Sequence, residues 1–182
     1  QLESKTGGKR GHWTRDGVSS AVQVRRDTAA VVVASTAGAA GTREDSTGPV
    51  IAAWLTGHGF VVDAVTVVAD ADIASGLARV VASAPAVILT TGGTGLSPTD
   101  CTPEATLALI DRELPGVAEA IRARGITAAP TAALSRAVAG TANGTVIVNL
   151  PGSPGGVRDG LAVLDGLLGH LVAQIAGGGA HE

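Results

Sequence analysis

The chain has 182 residues with a net charge of −3, and its single cysteine, Cys101, excludes an intramolecular disulfide and a cysteine-based zinc site. A chain of this length is one domain with a full core, and 45% hydrophobic against 16% charged residues excludes a disordered protein. Glycine is 26 of the 182 residues, about twice the usual ~7%, and it has no collagen period, so it implies many tight turns.

Residues 1–27 carry six basic and three acidic side chains, which leaves −6 on residues 28–182. This polar, aperiodic stretch reads as a basic tail or appended segment preceding one domain over 28–182. The other reading, an arm for nucleic acid, lacks interleaved aromatics, and the acidic body argues against phosphate-backbone contacts. No run of 18 apolar residues and no apolar leader-like stretch occurs, so a cytoplasmic protein that does not engage membranes is expected.

Strand and helix signals then alternate. Ala29–Ser35 is a short β-branched apolar run, read as a buried strand. A polar loop over 36–47 leads to Gly48-Pro49, a helix start, with a helix over 50–58 closed by Gly57 and Gly59. Residues 60–68 read as strand, and Asp70 and Asp72 offer N-caps to a helix with Ile73, Leu77, Val80 and Val81 on one face. Pro85–Thr90 is a third strand and runs into Thr91–Asp100, TGGTGLSPTD. Thr102 can cap a helix with Pro103 at its first position, and Leu107, Ile110 and Leu114 have helical spacing. A second short helix is predicted over 117–124. Residues 134–139 and 145–150 read as strands joined through Asn143-Gly144, and 157–175 as one long amphipathic helix. The alternation predicts βαβ units: an α/β fold of three layers with a mostly parallel sheet and helices on both faces.

In such sheets ligands bind beyond the carboxyl ends of the strands. That rule selects the loops after Ser35, Val68, Thr90 and Leu150. Gly92, Gly93, Thr94 and Gly95 can turn backbone N–H groups toward an anion. The alternative is a tight strand-to-helix turn, and neither GxxxxGK[ST] nor a helix-opening GxGxxG is present. Pro151-Gly152-Ser153-Pro154-Gly155-Gly156 follows another strand on the same edge. Asp70 and Asp100 belong to two different loops on the same edge, Asp100 at the end of the glycine loop's own run. Each could be a helix cap. As functional groups in an acidic protein, they would need a divalent cation between carboxylate and phosphate, which suggests a Mg–nucleotide site. Arg136 is either a source of positive charge or a surface arginine. Cys101 is expected to be a buried or capping thiol, Asn143-Gly144-Thr145 a turn rather than a glycosylation site, Trp13 a tail residue and Trp54 a core residue.

Several spaced segments together resemble the Mog/MoaB family of molybdenum-cofactor biosynthesis proteins, over about residues 29–176. They are Asp45-Ser46-Thr47-Gly48-Pro49, Ala69-Asp70, Thr90–Gly95 with Ser97-Pro98-Thr99-Asp100 and Thr102-Pro103-Glu104-Ala105, Pro115-Gly116, Leu134-Ser135-Arg136, and Asn149–Pro154. The resemblance is strongest to the Mog type and implies transfer of AMP from Mg-ATP to the terminal phosphate of molybdopterin, with release of pyrophosphate. It implies Asp70 and Asp100 as catalytic and Mg²⁺-binding residues. It implies Ser35, Gly92, Gly93, Thr94, Gly95, Ser135, Pro151, Gly152, Ser153 and Pro154 as the substrate-binding surface. It also implies a homotrimer and a molybdate-insertion enzyme as downstream partner. Ser153 stands where Asn is common in the family, and Thr36 where an acidic residue is frequent. The competing reading is a binding-only, MoaB-like relative of the same fold; the extra domains of the molybdate-insertion enzymes themselves would not fit in this length.

Overall fold

The computed structural model describes residues 23–177. Six strands form one sheet: β1 (Arg25–Ala34), β2 (Val61–Val68), β3 (Pro85–Thr91), β4 (Arg112–Glu113), β5 (Ala139–Ala142) and β6 (Thr145–Leu150). Their spatial order is β2-β1-β3-β6-β5-β4. The first four strands in that order run parallel, while β5 is antiparallel to β6 and β4 antiparallel to β5. β1 thus takes in Arg25–Asp27, the last residues of the stretch read as a tail, and Trp13 lies outside the described residues.

Among the described residues seven α-helices complete the fold: α1 (Thr36–Ala39), α2 (Gly48–Gly57), α3 (Ile73–Ala82), α4 (Thr102–Leu107), α5 (Pro115–Ala128), α6 (Pro154–Leu164) and α7 (Leu168–Ile175). Side chains alternate across a strand, and β1 shows the result. Ala29, Val31 and Val33 join a core with residues of α2, α5, α6 and α7. Ala30, Val32 and Ala34 join a second core with α3 and α4. Burial on both faces is why β1 and β3 read as unbroken apolar runs. Trp54 packs half-buried against the first core. The three-layer, mostly parallel architecture is the one the alternation predicts.

Four elements differ from the sequence reading. The strand expected over 134–139 is instead β5 at Ala139–Ala142. A two-residue turn at Asn143 (φ 50°) and Gly144 (φ 86°) sets Ala142 opposite Thr145, so pairing counts back from the turn. The helix read through Leu107, Ile110 and Leu114 stops at Leu107. Pro115 disfavours helical backbone at Leu114, and the Asp111 carboxylate accepts from the Thr141 hydroxyl (2.6 Å) and the Asn143 N–H (2.8 Å), drawing this segment onto β5 as β4. Those two hydrogen bonds hold the Asp111 carboxyl below the usual carboxylate range. The long helix over 157–175 breaks between Leu164 and Leu168, where Gly166 weakens helical continuity and the Leu167 N–H turns tightly onto the Leu164 carbonyl (2.9 Å). The polar loop after Ser35 holds the short helix α1, which Ser35 caps.

One buried polar side chain joins the layers. Asn149, fully buried in β6, donates through Nδ2 to the Thr90 and Thr106 hydroxyls, each at 2.9 Å. Its carbonyl oxygen accepts from the Val138 N–H at 3.2 Å. Replacing Asn149 with Ala should leave the Val138 N–H unpaired next to a new void, lowering stability by about 2–4 kcal/mol in urea titrations.

Candidate functional site

Because β1, β2, β3 and β6 are parallel, their carboxyl ends meet along one sheet edge. Ser35 follows β1, and its hydroxyl accepts the Gly38 N–H at 3.0 Å. Asp70 follows β2. Its Oδ2 accepts from the Thr36 hydroxyl (2.7 Å) and N–H (3.1 Å), while its own N–H donates to the Thr36 hydroxyl (3.2 Å). Asp70 therefore does not cap the helix that follows it, and Asp72, at the N-cap of α3, makes no side-chain cap either. Thr36, the departure from the family pattern, orients Asp70 without adding a charge.

After β3, Gly92 and Gly93 adopt φ of +86° and +63°, a region that favours glycine. A side chain at Gly92 would strike the Ala34 carbonyl of β1, so the loop lies directly against the next strand end. The loop after β6 also comes close: a Cβ on Gly152 would lie 3.1 Å from the Gly92 Cα, a tight contact. The Thr91 hydroxyl ties the two by donating to the Pro151 carbonyl at 2.8 Å. Ser153 caps α6 through its hydroxyl, which accepts the Gly156 N–H at 3.1 Å, with Pro154 in the first turn.

Asp100 closes a turn, its Oδ2 accepting the Ser97 N–H at 3.1 Å. It does not cap α4. The N-cap there is Cys101, one residue earlier than the predicted Thr102, and its thiol is exposed rather than buried. A Cβ on Gly95 would sit 2.8 Å from Asp100 Oδ2, so glycine makes room for the carboxylate. Arg136 clasps this segment. Nε donates to the Gly95 carbonyl (2.8 Å), one guanidinium nitrogen to the Asp100 carbonyl (2.6 Å) and the other to the Glu104 carboxylate. Its backbone N–H donates to the Thr94 carbonyl at 2.9 Å. Arg136 is thus neither a loose surface residue nor a free charge for substrate, and it holds the Glu104 carboxyl below its usual range. Arg122 of α5 steadies the adjoining segment, donating to the Ser135 (3.3 Å) and Ala137 (2.8 Å) carbonyls.

These loops enclose two cavities. One, of about 340 Å³, is polar and holds Ser35, Thr36, Asp70 and Asp100 against Gly92 and Gly93. The other, of about 470 Å³, runs from Thr94, Gly95 and Ser153 past Ser135 to the apolar flank of α5 at Ile121. Gly93, Asp100 and Gly152 line both. Every residue of the expected site, from Ser35 and Asp70 to Pro151 and Pro154, lines one cavity or the other. Sequence reasoning passed over Arg43 and Glu44 in the polar cavity, and Ile121 and Asp159 in the other. Of the missed stretch only Asp45-Ser46-Thr47 carried a signal, as part of the family resemblance; nothing marked Arg43.

The carboxylates suit a divalent cation. Asp70 and Asp100 each commit Oδ2 to protein donors and keep Oδ1 without a donor among the described residues. No group of three or more potential metal ligands occurs among the described residues. Asp70 and Asp100 are the acidic side chains of the expected site that could take part in holding a cation, since a Mg²⁺ ion needs only one or two carboxylates and completes its shell with other oxygens. No helix of the described residues is long and apolar enough to cross a membrane.

A family model described as a probable molybdopterin binding domain matches residues 30–170. A molybdenum cofactor biosynthesis bifunctional protein of Synechococcus elongatus is 39% identical over 182 residues, covering 97% of this chain and 57% of that protein. The molybdopterin adenylyltransferase of Escherichia coli is 42% identical over 88 residues, 48% of this chain and 45% of that protein. The matches therefore span about half the length of these curated relatives. The structure of the molybdopterin biosynthesis Mog protein from Mycobacterium ulcerans superposes with a TM-score of 0.78 at 49% identity, covering 81% of this chain and 98% of that one.

The Arg136 clasp has a pH signature. Its carboxylate partner titrates below the ordinary 4.5 in the folded chain, so the contribution is fully present above that value and is lost as pH falls through the native one. Arg136→Met should cost about 2 kcal/mol at neutral pH and less once the pH has fallen through the lowered native value of Glu104. NMR titration should show the Glu104 carboxyl moving up toward its ordinary value.

Proposed function

The chain belongs to the probable molybdopterin binding domain family, the Mog/MoaB proteins of molybdenum-cofactor biosynthesis, and on that premise we propose that it is a molybdopterin adenylyltransferase. It transfers AMP from Mg-ATP to the terminal phosphate of molybdopterin and releases pyrophosphate. The observation that carries this reading is the shared wall: Asp100, Gly93 and Gly152 face both cavities, so two substrates can meet across one carboxylate.

The chemistry is in-line displacement at phosphorus, which depends on positioning and charge neutralisation. An oxygen of the pterin phosphate, already anionic at neutral pH, attacks the α-phosphorus. No general base is needed, which fits a site without a histidine among its lining residues. Asp70 and Asp100, each with Oδ1 free of protein donors among the described residues, are the residues that would hold Mg²⁺, and such an ion would supply neutralisation of phosphoryl charge. The Thr36 hydroxyl fixes Asp70, and the Arg136 clasp fixes the backbone that carries Asp100. Backbone amides of the Gly92–Gly95 loop offer donors to developing charge on phosphoryl oxygens. The hydroxyl-lined cavity suits phosphoryl groups, and the wall of Ile121, Ala128 and Ala132 in the other suits a planar heterocycle.

Asp100→Asn should cut pyrophosphate release from molybdopterin and Mg-ATP by on the order of a hundredfold, and chelation of divalent ions should stop it in the parent protein. Near-normal turnover of Asp100→Asn would remove Asp100 from the reaction. Tight pterin binding by the unaltered protein without any pyrophosphate would favour the binding-only relative.

A further inference from the structure

The polar cavity is lined by four carboxylates, those of Glu44, Asp45, Asp70 and Asp100, and by a single basic side chain, Arg43. The root of that side chain is fixed. The Arg43 N–H donates to the Ala37 carbonyl at 3.2 Å, and the Thr42 N–H and hydroxyl donate to the same oxygen, each at 3.0 Å. Two residues on, Asp45 accepts the Thr47 N–H (2.9 Å) and the Gly48 N–H (3.0 Å), tying the loop to the start of α2. The guanidinium itself makes no ion pair and no side-chain hydrogen bond among the described residues.

This contrasts with the other arginines around the site. Arg136 and Arg122 spend their donors on backbone carbonyls and on Glu104. Of the nearby carboxylates, both oxygens of Asp45 accept backbone N–H groups and Oδ2 of Asp70 and of Asp100 are taken, while Glu44, though in the same cavity, forms no ion pair with Arg43 among the described residues. Arg43 is therefore a cation on an anchored loop, facing a cavity whose fixed groups leave its donors unused. A guanidinium so placed matches a phosphoryl oxygen pair in geometry and charge.

We propose that Arg43 binds the β- and γ-phosphoryl groups of ATP and holds the pyrophosphate that departs. The assignment rests on the adenylyltransferase reading. Attack by the pterin phosphate forms one P–O bond at the α-phosphorus and breaks the bond from that phosphorus to the oxygen bridging to the β-phosphoryl group. The electron pair leaves with pyrophosphate, and no proton is transferred. Negative charge thus grows on the side of the leaving group, where Arg43 counters it, while the α-phosphoryl group stays with Asp70 and Asp100.

The test is calorimetric titration of the full chain and of Arg43→Gln and Arg43→Lys with Mg-ATP, Mg-pyrophosphate and AMP, each with a thermal unfolding scan. Arg43→Gln should bind ATP and pyrophosphate about tenfold more weakly and AMP unchanged, with an unaltered unfolding midpoint. Arg43→Lys should recover much of the loss. An Arg43→Gln protein that binds pyrophosphate as the parent does, or that loses AMP to the same degree, overturns the assignment while leaving the adenylyltransferase reading intact. A parent protein that binds neither ATP nor pyrophosphate overturns both.

Discussion

The arrangement of the whole edge depends on the side-chain amide of Asn149. A buried amide is costly unless all its hydrogen-bonding capacity is met, and here both N–H donors and the carbonyl are used. Its partners belong to separate parts of the site. Thr90 is followed by the Thr91-Gly92-Gly93 turn. Thr106 lies in α4, which begins just after Asp100. Val138 lies two residues beyond Arg136, whose guanidinium holds Gly95 and Asp100. One amide therefore sets the register among the glycine loop, the Asp100 turn and the segment carrying Ser135. Apolar packing alone would place these elements in the right layer without fixing them to within a hydrogen-bond length.

Charge around the site follows a division of labour. Arginines that could have served substrate instead hold carbonyls: Arg136 on the Asp100 turn, Arg122 on residues 135–137. Thr36 plays the same part for Asp70 with no charge at all, since its hydroxyl both accepts from the Asp70 N–H and donates to its carboxylate. The acidic balance of residues 28–182 thus has a local counterpart: carboxylates face the polar cavity while most of the neighbouring positive charge is turned toward backbone. A divalent cation carried in with phosphate would complete that balance.

Much of this was legible in the sequence, for reasons that can be named. β1 and β3 announced themselves because burial on both faces demands unbroken apolar runs, and the Asn143-Gly144 turn because only a few dipeptides tolerate two successive positive φ values. The glycine loop was legible because a positive φ and close backbone approach, as at Gly92, demand glycine. What was illegible depends on distant partners. Leu107, Ile110 and Leu114 kept helical spacing, yet Asp111 reaches Thr141 and Asn143 and the segment becomes strand. The apolar pattern of 157–175 continues across a break because Leu164 and Leu168 are buried on either side of it. Arg43 and Arg136 look alike as letters; only tertiary contacts show one engaged and the other not.

The contact between Gly92 and Gly152 also limits how this site can change over time. Two loops 60 residues apart in sequence, tied by the Thr91 hydroxyl to Pro151, pass so closely that a methyl group on Gly152 would press on the Gly92 backbone. A substitution that shifts one loop must displace the other, so the two cavities behave as one heritable unit. Mutations in the separate loops should therefore be epistatic rather than additive. Divergence toward a different pair of substrates would proceed from the outer walls, α5 on one side and the loop of Arg43 on the other, while the shared seam stays as it is.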